Sequence, residues 1–259
     1  MRDLVAAFGG ELPGCDTPGL LGWLDAFSDE HWNFRGRLGG AERDRVRVEL
    51  PPRLAAAGLA AAAALGLAGS GEPAHREYTH LLILGGLARS CLQRADHAAR
   101  LAGALRVGGI AALGSLRPLS AEERALPGLG RCRTEADALA AGVRAAFGGR
   151  AVPVLVAPPG DPAAHRANTA DTYEFWAAGA HPGPGDRILV VTSPIYVPFQ
   201  HCDAIRILGL RYRCGIDTVG FDPRLAHPPQ PGGAAAADRC LQEIRSAIRA
   251  ARALLAAVG

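Results

Sequence analysis

The sequence predicts an α/β fold: a Rossmann-like doubly wound parallel sheet with an N-terminal helical extension. Apolar runs at 79–84 and 187–191 each pass into a loop of Gly, Ser or Thr and then into a helical pattern. Strands that are apolar on both faces are typical of a parallel sheet covered by helices. Such strands then alternate with helical patterns about four times, as in doubly wound proteins. We therefore expect function at the carboxyl ends of the strands.

Residues 1–71 are predicted to form the N-terminal helical extension or cap, because they lack a comparable strand signal. Within them, Leu54 to Ala68 is shorter than the ~20 residues that a membrane span needs, and it is predicted to be a buried helix. Aromatic and polar residues concentrate between Phe27 and Arg35. Two interpretations stay open: this segment anchors the extension on the core, or Trp32 and Arg35 help to close a ligand site.

Residues 72–259 are predicted to form the Rossmann-like domain. Thr134 is a favourable N-cap for one of its helices, and Gly148 follows that helix as a favourable stop. The predicted elements are, in order, strand 79–84, helix 87–105, a weak strand 109–113, a long loop 117–133, helix 135–147, strand 152–157, a helix through 173–180, strand 187–193, helix 199–209, strand 214–221, a Pro/Gly-rich linker 223–233 and helix 234–257.

The composition excludes several classes of chemistry. All 28 basic residues are arginine, so a phosphate-loop lysine and a lysine Schiff base are impossible. A net charge of +3 is too small to predict a nucleic-acid partner, whereas arginine favours capture of a carboxylate or phosphate. The partner is therefore predicted to be a small-molecule ligand, with a nucleotide and S-adenosylmethionine as the candidates. The oligomeric state is left open.

The cysteine pattern bears on location and on metal binding. The six cysteines include no C-x-x-C pair, which predicts reduced thiols, no metal site and a cytoplasmic protein. Residues 1–14 lack the apolar core of a secretory signal, and no membrane span is predicted.

Glycine-containing loops follow the first two strands. Gly85 and Gly86 would let a ligand approach the backbone, and the next helix would offer its N-terminal N–H groups to an anion. Because the pattern falls short of G-x-G-x-x-G, a plain tight turn is the alternative. Gly114 and Ser115 follow the second strand and are candidate binding residues in the same way.

Arginines flank these loops. Arg89 and Arg117 are predicted to hold an anionic group at the mouth of the site. Arg94, about a turn and a half further along its helix than Arg89, is predicted to be a surface charge.

Two carboxylates, Glu135 and Asp171, stand at helix starts. They are the candidate catalytic residues, because two carboxylates facing one cavity can divide acid and base roles. The alternative is that each simply stabilises its helix N-terminus.

Neutral polar side chains complete the predicted site. They suit a ribose, an amide or a sugar better than a metal, and they are Asn168, Thr169, Thr172, Thr192 and Ser193. Tyr196 could stack on a base. Ser193 lacks a nucleophile elbow, so covalent catalysis is not favoured, while His165 and His201 flank the site and stay candidates.

Four motifs in order resemble the family typified by YdcF, SanA and ElyC: Leu84-Gly85-Gly86, Thr134-Glu135-Ala136, Asn168-Thr169 and Val190 to Ser193. The resemblance covers roughly Tyr78 to Phe221. It implies a Rossmann-like sheet with a pocket at the strand ends, a link to envelope biogenesis and, from one soluble member, S-adenosylmethionine binding. The implied ligand-facing positions are Gly85, Gly86, Glu135, Asn168, Thr169, Thr192 and Ser193.

The sequence also departs from that family. The aromatic-His pair and the Arg that usually follow the Val-Thr-Ser strand are missing from 195–200, and Asp171-Thr172 stands where the family has Glu-Asn. The leading hypothesis is a cytosolic, metal-independent enzyme of group transfer or hydrolysis that binds a small polar or anionic ligand, similar to a nucleotide or to S-adenosylmethionine. The alternatives are a non-catalytic ligand-binding or regulatory protein of envelope metabolism and a tailoring enzyme for a specialised metabolite.

Overall fold

The computed structural model describes residues 1–37, 46–69, 71–161, 166–226 and 236–259. Five strands form one sheet: β1 Glu77–Leu84, β2 Arg106–Gly114, β3 Val154–Val156, β4 Arg187–Thr192 and β5 Gly215–Gly220. The helices are α1 Arg2–Ala7, α2 Thr17–Trp32, α3 Phe34–Arg37, α4 Pro52–Ala64, α5 Ala88–Ala104, α6 Ala121–Arg124, α7 Glu135–Phe147, α8 Thr169–Ala180, α9 Val197–Ala204, α10 Leu210–Tyr212 and α11 Ala237–Val258.

The sheet has the order β3-β2-β1-β4-β5, and every pair of neighbouring strands is parallel. The chain builds outward from β1 through β2 to β3 and then returns to place β4 on the other side of β1. The strand order therefore reverses between β1 and β4, and in open α/β sheets ligands bind in the crevice at this switch point. The predicted doubly wound α/β fold is confirmed.

Helices cover both faces of the sheet. Leu81 and Ile83 of β1 pack with α5 and α7 on one face. Leu82 and Leu84 pack with α8 and the segment after α9 on the other. Because successive strand side chains point to opposite faces, the uninterrupted apolar run in β1 is required by burial on both sides.

A second layer joins the two ends of the chain. The helices of the N-terminal segment pack on α11 around a core that includes Trp32, Leu241 and Ile244, all of them fully buried. The predicted buried helix at 54–68 is wrong in extent: α4 ends at Ala64 and buries one side only, while Leu59 on its other side is 42% exposed. The boundary at residue 71 stays a prediction. No helix in the described ranges has both the length and the hydropathy to cross a membrane.

Two further predicted segments differ from the structure. The long loop predicted at 117–133 contains α6, which Ser120 and Glu123 stabilise through a reciprocal capping box. Instead of one uniform helix at 199–209, the structure has α9 followed by a π-helical turn Ile205–Gly209, and a 3₁₀ turn Pro194–Tyr196 precedes α9. The predicted linker 223–233 lies partly outside the described residues.

Candidate functional site

A cleft of about 560 Å³ opens at the carboxyl ends of β1 and β4, at the switch point of the sheet. Its volume falls in the range of small-molecule sites. Among the described residues, its polar and charged lining consists of Arg35, Ser90, Arg94, Ser115, Arg117, Glu135, Arg166, Asn168, Thr169, Thr172, Tyr196, Gln200, Asp203 and Arg206. Five arginines thus face two carboxylates in this described lining.

The structure brings most of the predicted site residues together. Those that line the cleft are Gly85, Gly86, Ser115, Arg117, Glu135, Asn168, Thr169, Thr172 and Tyr196. The predicted residues outside its lining are Arg89, Gly114, Asp171, Thr192 and Ser193. Of these, Thr192 and Ser193 are buried directly beneath the cleft, where they bind side chains that line it.

The Gly85-Gly86 pair makes room for protein side chains. A Cβ atom at Gly85 would overlap Glu135 Oε1 and lie 2.9 Å from the Leu113 carbonyl oxygen. At Gly86, a Cβ would lie 3.2 Å from Arg94 Nη1. The sequence pattern predicted close approach of a ligand or a tight turn; in the structure, close approach of Glu135 and Arg94 accounts for both glycines.

Arg117, Glu123 and Glu135 form a cluster, called here the balanced cluster, on the β2 side of the cleft. Arg117 donates from Nη1 to Glu123 Oε2 at 2.9 Å and from Nη2 to Glu123 Oε1 at 2.7 Å. Its Nε lies 3.4 Å from Glu135 Oε2, and the Ser115 N–H donates to Glu135 Oε1 at 3.1 Å. Arg117 is therefore held by two carboxylates, which limits what it can offer to a ligand.

The pKa values of the two glutamates move in opposite directions. Burial raises the pKa of Glu135, and Arg117 opposes this rise only in part. For Glu123, Arg117 and the N–H groups of Ser120 and Ala88 outweigh burial and lower the pKa. The difference follows from contacts, because Glu123 makes two short bonds to Arg117 and Glu135 one long contact.

The N-terminus of α5 is not an open anion site. The Ala88 N–H, the first of this helix, donates to Glu123 Oε1 at 2.7 Å. A protein carboxylate thus takes the place that the sequence analysis assigned to a ligand.

Arg94 lies at the floor of the cleft and is 1% exposed, so its predicted role as a surface charge is wrong. Its Nη1 donates to the Leu84 and Gly85 carbonyl oxygens, and its Nε and Nη2 both donate to Ser193 Oγ at 3.1 Å. Among the described residues, no carboxylate lies within 4.0 Å of this guanidinium. Burial lowers the pKa of Arg94, yet arginine stays charged in proteins. The floor of the cleft therefore carries a positive charge without an ion-pair partner in the described structure.

The N-terminus of α8 also faces the cleft. Asn168 caps this helix, because its Oδ1 accepts from the Asp171 N–H at 3.1 Å while Asp171 Oδ2 accepts from the Asn168 N–H at 2.8 Å. Asp171 is thus engaged as a helix cap, and its carboxylate does not line the cleft. Arg166 lines the cleft just before this helix, so helix dipole and arginine both favour an anion here.

The opposite wall comes from α9 and the π-helical turn. Thr192 donates its hydroxyl proton to Gln200 Oε1, which orients the glutamine at the cleft. Asp203 accepts from Arg206 at 3.3 Å, and burial raises the pKa of Asp203. His201 lies near this wall and pairs with Thr218 Oγ1 at 3.2 Å, outside the lining, while His165 lies outside the described residues.

Four charged residues that line the cleft were not predicted as site residues from the sequence: Arg94, Arg166, Asp203 and Arg206. A signal existed for Arg94, because it shares the helical stripe of Cys91, Ala95 and Ala98, which is buried. A signal also existed for Glu123, since Ser120 three positions before it completes a capping-box pattern.

These features define a Rossmann-like α/β protein with an arginine-rich cleft at the switch point of its sheet. The family described as "Rv3785 N-terminal domain" matches residues 1–66. The chain is 32% identical to the "Uncharacterized protein Rv3785" of Mycobacterium tuberculosis (strain ATCC 25618 / H37Rv), with 98% of this chain and 86% of the relative covered. The "Uncharacterized protein Mb3814" of Mycobacterium bovis matches to the same extent. The chain belongs to this Rv3785 family. No solved structure matches it significantly.

Proposed function

We propose that this protein binds a small, phosphate-bearing, nucleotide-like anion in the cleft and that Glu135 transfers a proton in a group-transfer or hydrolytic reaction. The observation that carries the proposal is Arg94, a buried guanidinium at the floor of the cleft that forms no ion pair with the described residues, although the Glu135 carboxylate lies in the same cleft. A buried charge is costly unless it is compensated, and an anionic ligand would supply the compensation.

The rest of the lining supports this class of ligand. Arg166 and the α8 N-terminus lie on one wall and Arg206 on the other, while Asn168, Thr172 and Gln200 offer neutral groups suited to ribose hydroxyls. Tyr196, whose ring centre lies 5.7 Å from the Arg94 guanidinium carbon, offers an aromatic face. S-adenosylmethionine, which the YdcF resemblance suggests, fits less well because its sulfonium would lie among arginines.

Glu135 is the group best suited to move a proton. It lines the cleft, and burial raises its pKa above the ordinary value, which is the direction that favours a role as general acid or base. The second predicted carboxylate, Asp171, is not beside it. Binding without turnover is therefore a second candidate, favoured because both Glu135 oxygens already have protein partners.

Calorimetric titration with AMP, ADP and S-adenosylmethionine tests the binding step. We expect ADP to bind the native protein, and Arg166→Gln to weaken binding about tenfold through loss of a charge-assisted contact. Arg106→Gln is the matched control, because Arg106 starts β2 at the far end of the sheet and its side chain is 85% exposed.

The outcomes separate the candidates. Absence of binding by both phosphate-bearing probes would overturn the proposal, and binding of S-adenosylmethionine alone would replace the ligand class. For the catalytic step, hydrolysis of bound ADP that disappears in Glu135→Gln while binding persists would support the role of Glu135.

A further inference from the structure

A second groove of about 450 Å³ adjoins the cleft, between α3, α9 and α11. Arg35, Phe199 and Asp203 line both spaces. Because the two spaces share these three side chains, they lie next to each other. The cleft lies at the carboxyl ends of the strands, and the groove lies against the layer formed by the N-terminal helices and α11.

The groove is lined by an excess of positive charge. Arg35, Arg245 and Arg249 face it, with Asp203 as the carboxylate among its described lining residues. The acidic partners of two of these arginines lie on α2, outside that lining: Arg245 pairs with Asp29, and Arg249 Nε lies 3.9 Å from Asp25 Oδ1.

One buried Nε–H donor in each space has no acceptor among the described residues. Arg245 is 9% exposed, and its Nε is buried with no hydrogen-bond partner among the described residues. Arg206 Nε, in the wall of the cleft, is also buried and has no hydrogen-bond partner among the described residues. Buried donors are almost always paired in proteins, and these two, in adjoining arginine-lined spaces, are unpaired within the described part of the chain.

We infer that the ligand carries two separated anionic groups, of the class of nucleoside bisphosphates or polyphosphates. One group lies in the cleft near Arg94 and Arg206, and the other lies in the groove near Arg245 and Arg249. This inference rests on the proposed function, since it requires that an anion enters the cleft. According to this inference, the groove takes part in ligand recognition. The N-terminal segment also takes part, because it contributes Arg35 to the lining.

Arginines 249 and 252 of α11 provide a matched pair of variants. Both contact Asp25, and their side chains are 61% and 56% exposed, yet Arg249 lines the groove and Arg252 does not. The measurement is calorimetric titration of AMP, adenosine 3′,5′-bisphosphate, inorganic phosphate and tripolyphosphate into the native protein, R249Q and R252Q.

We expect the probes with more than one phosphate to bind the native protein and R252Q about tenfold more tightly than their single-phosphate counterparts. In R249Q this advantage is expected to fall to about threefold or less, while AMP binding is unchanged. Arg245→Lys, which keeps the charge beside Asp29 and removes the Nε donor, is expected to reduce the same advantage.

The results also distinguish the groove from the cleft. If AMP binds and Arg166→Gln weakens it, but the additional phosphates add nothing, the inference fails and the proposed function stands. Equal losses in R249Q and R252Q would likewise overturn the inference, because they would reflect net charge alone. If none of the probes binds, both fail.

Discussion

The two sides of the cleft handle their charges in opposite ways. On the β2 side, one arginine of the balanced cluster is shared by two glutamates, and Glu123 also caps α5. At the floor, Arg94 is buried with carbonyl and hydroxyl oxygens as its acceptors and forms no ion pair in the described structure. The charges of the balanced cluster pair with one another within the chain and hold the loops. The positive charge of Arg94, in contrast, has no ion-pair partner among the described residues and is available to an anionic ligand. Lining a cleft is therefore not sufficient for a role in binding.

The largest effect is expected from breaking the balanced cluster. Arg117→Met would leave Glu123 and Glu135 buried without their cation, and we expect the free energy of unfolding to fall by about 3–5 kcal/mol. Urea denaturation followed by circular dichroism measures the loss. Arg106→Met is the control, because the side chains of Arg106 and Glu77 are 85% and 61% exposed and such pairs contribute below about 1 kcal/mol. Equal losses in the two variants would show that the cluster is not structural.

A smaller loss is expected where the backbone meets that cluster. Gly85→Ala would force a Cβ onto Glu135 Oε1 and close to the Leu113 carbonyl oxygen, and we expect a cost of about 1–3 kcal/mol. In contrast, Gly103 lies near the end of α5, and no atom lies within 4 Å of the position that a Cβ would occupy there. Gly103→Ala should therefore stabilise the fold by about 0.5–1 kcal/mol. Thermal denaturation of both variants checks the opposite signs.

Substitutions of the two glutamates are expected to differ in the pH dependence of their effects on stability. Glu123, whose pKa is lowered, stabilises the fold above its unfolded pKa, and this contribution is lost as the pH falls through the folded value. Glu123→Gln should therefore cost about 2 kcal/mol at pH 7 and less in acid.

Glu135 should behave in the opposite sense. Its pKa is raised, so its contribution is fully present below the unfolded pKa and is lost as the pH rises through the folded value. As the pH rises from the unfolded pKa through the folded one, Glu135→Gln should gain in stability relative to the native protein, by no more than about 1 kcal/mol. Melting temperatures across this pH range test the pair, and parallel slopes would contradict the opposed pKa shifts.

The sheet and the position of the cleft could be predicted because their signals are local. Burial of β1 and β4 on both faces requires apolar runs, and those runs are visible in the sequence at 79–84 and 187–191. Strand ends followed by Gly, Ser or Thr then indicated the edge at which ligands bind. Nine predicted site residues line the cleft for this reason.

The electrostatics of the cleft could not be predicted, because they depend on partners distant in sequence. Arg94 binds Ser193, 99 positions away, and Glu123 binds the N–H of Ala88, 35 positions away. A helical arginine has the same local pattern whether its side chain faces water or a buried hydroxyl. Asp171 shows the converse, since its capping pattern was visible but its direction away from the cleft was not.

The pairing of Arg35 with α11 has a consequence for the order of folding. The Arg35 N–H donates to Gln242 Oε1 across 207 positions of sequence, and Val48 N–H reaches Asp238 in the same helix. Contacts that close such long loops form late, because the entropy of closure must be overcome first. We therefore expect the sheet to form before the layer between the two ends of the chain, and hence before the groove.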